Sequence, residues 1–315
     1  MKIVFIHDWE VPIDEQFDYQ DGIRKAVDLL SHKHNLISIT RGPDDYNHSN
    51  FIRTKLPSNY IDSFKPDVLL CWGSLDRPWH RSLHERYPKM KKVLCFAGGP
   101  TEHVAKSYFN VIVVESKVYL DEFTKIGVTA MRGFGTNTKV FRPDNRITKK
   151  FDAIYPSSLC FHKNIELFCR AMSDRGLVVG NHNEPTIASK ILSLHTPLMH
   201  RVNSEALCDL YNMSRVTVIT GGPGGGAQRV VLESMACGVP VVVMADNDRC
   251  VEFVEESGFG KVVEPIESEV RDAVDELIGD KVDPRIGRDY IVKNWSEDHY
   301  MKALEKACEL AVNNG

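Results

Sequence analysis

A glycine-rich segment in the second half of the sequence carries residues that could bind a phosphate-containing ligand. An apolar run ending at Ile219 leads into a loop with five glycines, and a helix is predicted from about Ala227 to Gly238. Glycines let a ligand approach the backbone closely, and a helix start offers free N–H groups with partial positive charge. Arg229 adds a cation and Glu233 a carboxylate. The segment predicts a diphosphate site, with a flexible turn as the simpler alternative.

Two common nucleotide motifs do not fit this loop. A dinucleotide fingerprint, GxGxxG, should follow the first strand of a unit and lead to an acidic residue about 20 positions on. A P-loop should end in Gly-Lys followed by Ser or Thr, and no such ending follows these glycines. Both motifs are therefore disfavoured.

The segment Gly226–Pro240, GAQRVVLESMACGVP, resembles the nucleotide-sugar motif of glycosyltransferase family 4, the retaining enzymes of the GT-B class. Further stretches resemble other motifs of that family, in the same order along about the whole chain. They are Gln20–Gly22, Val114–Ser116, Gly135–Asn137, Phe141–Pro143, Tyr155–Asn164, Arg201–Tyr211 and Asn294–Ser296. The resemblance implies two Rossmann-like domains with a cleft between them. It also implies transfer of a sugar from a UDP- or GDP-linked donor, with retention, and with no metal or other cofactor.

The resemblance gives individual residues a role. Glu233 corresponds to a glutamate that hydrogen-bonds the donor ribose, and its two acceptor oxygens suit a vicinal diol. Lys163 would neutralise the leaving diphosphate and His103 would face the donor sugar, so both are candidate catalytic residues. Backbone N–H groups of the glycine loop would face the diphosphate or the sugar. The other candidate donor-binding residues are Asp21, Gly22, Ser158, Val202, Asn203, Gly225, Gly226, Ala227, Gln228 and Arg229.

Each of these roles has a simpler alternative. Glu233 could be an exposed helix charge, Lys163 a solvated side chain, and His103 a structural or merely exposed histidine. The family pattern is also broken at two positions. The family has another glutamate eight residues before the position of Glu233, where this chain has Gly225. It also has an arginine five residues before the position of Lys163, where this chain has Ser158. These departures leave the sugar open and allow a chain that binds a nucleotide sugar without transferring it.

The elements that must position these residues are strands alternating with amphipathic helices. Near-continuous apolar strands separated by helices are typical of parallel sheets covered on both faces, and two such series predict an α/β chain with two doubly wound domains. We expect an acceptor domain over residues 1–142, a donor domain over 143–295, and a terminal helix over 296–315 that packs toward the first domain. The predicted strands are Ile3–Ile6, Leu36–Ile39, Val68–Cys71, Val93–Phe96, Val111–Val114, Ala153–Tyr155, Leu177–Val179, Leu198–Val202, Val216–Ile219, Val239–Val243 and Lys261–Val263.

Composition narrows the class of protein. The 315 residues are 43% hydrophobic and 26% charged, with a formal net charge of −4, so no basic field indicates nucleic-acid binding. Eight cysteines without a CxxC pair disfavour a zinc site and a dense disulfide framework, and free buried thiols are expected instead. No run of apolar residues is long enough for a signal peptide or a membrane span. These observations predict a cytoplasmic protein.

Three functions remain open at this stage. The first is a glycosyltransferase acting on an unidentified acceptor, such as a glycan, a lipid, a protein, a small molecule or a modified nucleobase in DNA. The second is a nucleotide-sugar binding module with impaired catalysis, and the third is a Rossmann-type oxidoreductase that uses NAD. The acceptor is expected on three loops of the first domain, Trp9–Tyr19, Asp44–Asn50 and Ser74–His80, whose aromatic, acidic and histidine side chains suit sugar hydroxyls.

Overall fold

The computed structural model describes residues 1–7, 22–42, 46–48, 51–181, 184–223, 226, 228–280 and 282–313. The contacts divide the chain into two compact units. The first unit contains Met1–Phe134 together with Glu297–Gly315, and the second contains Gly135–Ser296. The boundary expected after residue 142 therefore falls inside the second unit.

The first unit is built on an eight-stranded sheet in the order β3-β4-β2-β1-β5-β6-β7-β8. All neighbouring strands are parallel except β3 and β4. The strands are β1 Lys2–His7, β2 Asn35–Arg41, β3 Tyr46–His48, β4 Phe51–Thr54, β5 Val68–Gly73, β6 Lys91–Phe96, β7 Val111–Val114 and β8 Ala130–Arg132. The helices of this unit are α1 Gly22–Ser31, α2 Pro57–Phe64, α3 Pro78–Arg86, α4 Lys117–Lys125 and α12 Glu297–Asn313.

Both faces of this sheet are covered by helices, and the side chains of each strand alternate between the two faces. In β1, Ile3 and Phe5 join a cluster that includes Leu30 of α1 and Leu304 of α12. Val4 and Ile6 point to the other face and join a second cluster with α2, α3 and α4. The continuous apolar run is thus explained by a sheet with helices on each side.

The second unit contains a six-stranded parallel sheet in the order β11-β10-β9-β12-β13-β14. Its strands are β9 Phe151–Pro156, β10 Gly176–Gly180, β11 Leu198–His200, β12 Ser214–Ile219, β13 Val241–Met244 and β14 Gly260–Val263. Its helices are α5 Ile165–Met172, α6 Pro185–Ser193, α7 Ser204–Met213, α8 Gln228–Ala236, α9 Asp248–Ser257, α10 Glu267–Gly279 and α11 Pro284–Asn294. The prediction of an α/β fold with two doubly wound units is confirmed.

The chain returns to the first unit at the end of α11. The Trp295 carbonyl accepts a hydrogen bond from the Thr136 backbone at 2.9 Å, which pairs the two chain segments that bound the second unit. Arg288 of α11 donates to the carbonyl oxygens of Phe141 and Thr138 at 2.5 and 2.8 Å. The terminal helix, expected over residues 296–315, is α12, which begins at Glu297 directly after Ser296.

All eight cysteines are free, and every one except the half-buried Cys160 is buried. Burial raises the pKa of Cys169 to about 11 and that of Cys308 to about 12, so both remain protonated near neutral pH. In the part of the chain that the structure describes, no helix is long and apolar enough to cross a membrane.

Candidate donor-binding site

The candidate site lies where the second sheet changes direction. From β9 the chain builds outward through β10 and β11, and it then returns to β12 on the other side of β9 before continuing to β13 and β14. Ligands of open α/β sheets bind outside the carboxyl ends of the strands at such a switch point. The loops that follow β9 and β12 carry the predicted lysine and the glycines.

Hydrogen bonds join these two loops. Lys163 ends a short 3₁₀ helix, Phe161–Lys163, and its carbonyl oxygen accepts a hydrogen bond from the Tyr155 hydroxyl at 2.8 Å. Thr220, directly after β12, donates to the Asn164 carbonyl at 2.8 Å. The backbone that carries Lys163 is therefore held by both central strands, although the residue itself is only half-buried.

Gly226 brings the glycine loop close to the lysine. A Cβ atom placed on Gly226 would lie 3.6 Å from Lys163 Nζ and 3.6 Å from Gln228 Oε1. The residue has a φ of +62°, a conformation that glycine adopts without steric cost. Its carbonyl accepts hydrogen bonds from Asn247 Nδ2 at 3.3 Å and Cys250 Sγ at 3.2 Å. Two other predicted loop residues, Gly225 and Ala227, lie outside the described residues.

Gln228 begins α8, and its side chain is a feature that the sequence did not reveal. The residue is 3% exposed, and its Nε2 has no hydrogen-bond partner among the described residues. A buried amide N–H without a partner is costly, at about 1–3 kcal/mol. Sequence reasoning assigned a role only to the Gln228 backbone, because no pattern indicates where its side chain lies.

Glu233 lies in the same helix and is 6% exposed, so it is not an exposed helix charge. Its Oε2 accepts a hydrogen bond from the Tyr211 hydroxyl of α7 at 3.1 Å. Arg229 Nε lies 3.7 Å from its Oε1, so this arginine faces the glutamate one turn away. Burial and the neighbouring Glu233 carboxylate raise the pKa of Tyr211, which keeps that hydroxyl a hydrogen-bond donor.

The spacing of these groups along α8 suits two parts of one ligand. Gln228 and Glu233 are separated by about 7.5 Å of helix axis, at a rise of 1.5 Å per residue. The helix start and Lys163 provide positive charge, while Glu233 provides acceptor oxygens five residues further along the helix. The arrangement can bind an anionic group at one end and hydroxyl groups at the other.

Three other predicted residues of this unit lie on neighbouring loops. Ser158 is exposed and accepts a hydrogen bond from the Cys160 backbone at 3.0 Å through its carbonyl. Asn203 is the N-cap of α7, and its Oδ1 accepts from the Ala206 backbone at 2.9 Å. Val202 is half-buried. A role for Val202 and Asn203 in binding the base stays a prediction.

The predicted residues of the first unit are not gathered around a comparable constellation. His103 is exposed, and its Nδ1 accepts a hydrogen bond from the Ala105 backbone at 3.2 Å, which caps a 3₁₀ helix. Gly22 is the buried first residue of α1, and Asp21 lies outside the described residues. The catalytic role of His103 stays a prediction, and the local hydrogen bond agrees equally with a structural histidine.

The loops expected to bind the acceptor are only partly described. Trp9–Tyr19 and most of Asp44–Asn50 lie outside the described residues. In the third loop, Asp76 accepts a hydrogen bond from the Ser74 hydroxyl at 2.5 Å, which lowers the pKa of its carboxyl group. His80, at the end of that loop, is 1% exposed. The expectation that His80 faces sugar hydroxyls is therefore wrong, because the residue packs in the core.

Among the residues that the structure describes, no group of three or more His, Cys, Asp or Glu side chains is placed to hold a metal ion.

A family comparison identifies the second unit. Residues 152–280 match the family model for Glycosyl transferases group 1. The second unit is a group 1 glycosyltransferase domain. The matched range includes both central strands, the lysine loop, the glycine loop and all of α8. The sequence-based prediction of a glycosyltransferase is thereby confirmed.

Solved structures of similar fold cover almost the whole chain. A glycosyltransferase from Rickettsia africae aligns over 100% of both chains with a TM-score of 0.74 and 14% identity. Anabaena HepE in complex with UDP and glucose aligns over 98% of this chain and 99% of its own, with a TM-score of 0.74 and 12% identity. AviGT4, a glycosyltransferase of avilamycin A biosynthesis, aligns over 100% and 98%, with a TM-score of 0.68 and 14% identity. No curated protein sequence matches the chain.

Proposed function

We propose that this glycosyltransferase transfers a sugar from a nucleoside-diphosphate donor to an acceptor hydroxyl group, with retention of the anomeric configuration. The observation that carries the proposal is the buried Glu233 carboxylate, placed five residues beyond a helix start that faces Lys163. Glu233 accepts hydrogen bonds from the donor ribose, and the start of α8 binds the diphosphate. We favour a UDP-linked donor over a GDP-linked one because HepE, a protein of similar fold, is described in complex with UDP and glucose.

The transfer step depends on charge and position rather than on a covalent enzyme intermediate. As the bond to the sugar breaks, negative charge grows on the departing diphosphate, and Lys163 Nζ together with the N–H groups of α8 stabilises it. The acceptor hydroxyl attacks from the face on which the diphosphate departs, and its proton passes to the departing diphosphate oxygen. Holding donor and acceptor in one geometry supplies the remaining acceleration.

The first test is calorimetric titration of the wild type with UDP, GDP, ADP, CMP and NAD. The same titrations are then repeated with the variants Glu233→Gln and Glu233→Ala. We expect selective binding of one nucleoside diphosphate, weakened at least tenfold in both variants, which corresponds to about 1.4 kcal/mol. Glu233→Gln keeps an acceptor for the Tyr211 hydroxyl, so its effect does not arise from an orphaned buried group. Glu255→Ala, at an exposed position of α9, is the matched control and should bind like the wild type. Binding of NAD alone would contradict the proposal.

A catalytically impaired nucleotide-sugar binding module is the second candidate. It is favoured by Ser158, which is exposed and offers no cation to the diphosphate, and by the glycine at position 225. The two candidates differ in turnover. Release of the nucleoside diphosphate from a bound donor sugar supports the transferase, whereas tight binding without any release across glycan, lipid and small-molecule acceptors supports the binding module.

A further inference from the structure

Two buried cysteine side chains meet behind the candidate site. Cys208 belongs to α7, and Cys237 follows the last residue of α8, so the two are 29 positions apart in the sequence. Their sulfur atoms are 3.8 Å apart. The residues are 7% and 3% exposed. The packing of α7 on α8 therefore places one thiol within hydrogen-bonding distance of the other.

The surroundings make these two thiols unequal. The hydrogen bond with Cys237, and one from Asn212, lower the pKa of Cys208 to about 7 even though burial opposes the shift. The Cys208 sulfur also lies 3.6 Å from the Arg142 carbonyl oxygen, to which the thiol can donate. Asn212 Nδ2 lies 3.4 Å from Cys208 Sγ and donates to it. Burial raises the pKa of Cys237. Of the two thiols, Cys208 is therefore the one that loses its proton more readily, so its sulfur is the nucleophile of the pair.

We infer that Cys208 and Cys237 form an oxidisable dithiol, a modification site that closes to an intrachain disulfide. With an azo oxidant such as diamide, the Cys208 thiolate adds to the N=N bond and forms an S–N bond, and the second nitrogen takes up a proton from water. The Cys237 sulfur then displaces that nitrogen, so the S–S bond forms while the S–N bond breaks. The Cys237 proton leaves with the departing nitrogen. The two cysteines lose two electrons, and the azo compound is reduced to the hydrazine.

The disulfide would act on the donor glutamate through the two helices. Tyr211 lies one turn after Cys208 in α7, and the Cys237 backbone donates to the Glu233 carbonyl at 3.1 Å. The sulfur atoms must approach from 3.8 Å to about 2.05 Å for a bond to form. That movement shifts α7 against the end of α8 and disturbs the hydrogen bond between Tyr211 and Glu233. This consequence rests on the proposed donor-binding function, whereas the disulfide itself does not.

The experiment oxidises the purified full chain with diamide and maps its disulfides by mass spectrometry of unreduced peptides. We expect a linked pair of peptides containing Cys208 and Cys237, which dithiothreitol separates. Cys208→Ser and Cys237→Ser should each abolish that pair. Cys169→Ser is the matched control, since Cys169 is also buried in a helix of this unit, and it should leave the pair intact. Oxidation that leaves both cysteines open to alkylation after denaturation, or pairs them with other cysteines, would overturn the inference.

A second measurement tests the consequence for the donor site. UDP binding should weaken at least threefold in the oxidised chain, recover with dithiothreitol, and stay constant in Cys208→Ser treated with diamide. A disulfide that forms with unchanged UDP affinity would overturn the link to Glu233. If the reduced chain binds no nucleotide, the proposed function fails, and peptide mapping still decides whether the modification site exists.

Discussion

The carboxyl edges of the two sheets differ in how their polar groups are held. In the second unit, Lys163, Gly226 and Gln228 lie together on loops joined by hydrogen bonds, and the neighbouring helix buries Glu233. In the first unit, His103 is exposed and hydrogen-bonds within its own turn. One edge has a preorganised constellation of charge and acceptors, and the described part of the other has local polar contacts.

Under the proposed function, the second unit binds the nucleoside-diphosphate donor and the first unit binds the acceptor, which accounts for the difference. The family match lies within the second unit, at residues 152–280. A donor shared by many enzymes would require the same helix start and carboxylate in each of them. An acceptor differs from enzyme to enzyme, so its binding surface is free to vary in sequence. A site for a shared ligand is therefore easier to predict from residue patterns than a site for a particular one.

Lys163→Ala tests the preorganised edge of the second unit, and we expect it to give the largest effect of the proposed variants, a loss of turnover. Loss of one group that stabilises developing charge reduces turnover by about 10²–10³-fold. The affinity for the free nucleoside diphosphate should fall much less than turnover does. Release of nucleoside diphosphate from the tightest-binding donor measures turnover, and calorimetry measures affinity.

Lys190→Ala is the control for that variant. Lys190 is a half-exposed lysine of α6 in the same unit, and it pairs with Glu166 at 3.5 Å. Turnover of this variant should stay within about twofold of the wild type, since exposed ion pairs contribute little. Equal losses in both lysine variants would mean that overall charge, and not the position of Lys163, matters for turnover.

In the first unit, His80 was expected at the acceptor surface but lies in the core. Its burial predicts a pH dependence of folding stability that can be measured. Burial lowers its pKa to about 4, and its ring lies between Trp79 and Phe109 at centroid distances of 4.2 and 5.0 Å. An unfolded chain binds a proton at this histidine below about pH 6.5, while the folded chain resists protonation until about pH 4. Folding stability contributed by the neutral ring is therefore lost as the pH falls through that window.

His80→Phe removes this titration. Relative to its value at pH 7.5, the stability of the wild type should fall by about 3 kcal/mol more than that of the variant at pH 4. Urea unfolding at several pH values measures the difference. Parallel pH profiles for the two proteins would show that His80 is protonated as easily in the folded chain as in the unfolded one.

Strands with continuous apolar runs could be predicted from the sequence, and short polar ones could not. The run Ile3–Ile6 predicted β1, and Val216–Ile219 predicted β12, because both are buried on two faces. β3, β4 and β8 were missed. Their sequences YNH, FIRT and AMR are short and lack a distinctive period, so only pairing with a neighbouring strand makes them strands.

The candidate site was predictable only as far as it depends on local sequence. The glycine loop follows from residue types within one strand-loop-helix segment, and the role of Glu233 follows from the resemblance of that segment to a family motif. The burial of Glu233 against Tyr211 and the contact between Cys208 and Cys237 depend on how α7 packs on α8. That packing joins residues far apart in the chain, and no pattern within either helix specifies which side chains meet.

A change at Gln228 should give the smallest effects on stability and binding, and it tests directly whether the helix start is preorganised for the donor. Its buried Nε2 lacks a described partner, so Gln228→Leu, which removes the amide and keeps a similar volume, should stabilise the ligand-free chain by about 1 kcal/mol. The same change should weaken donor binding several-fold, because the amide would then be absent from the helix start that faces Lys163. Thermal unfolding with and without the donor measures both effects. A variant less stable than the wild type without ligand would mean that the amide already serves the folded chain, and the case for a donor contact at Gln228 would be lost.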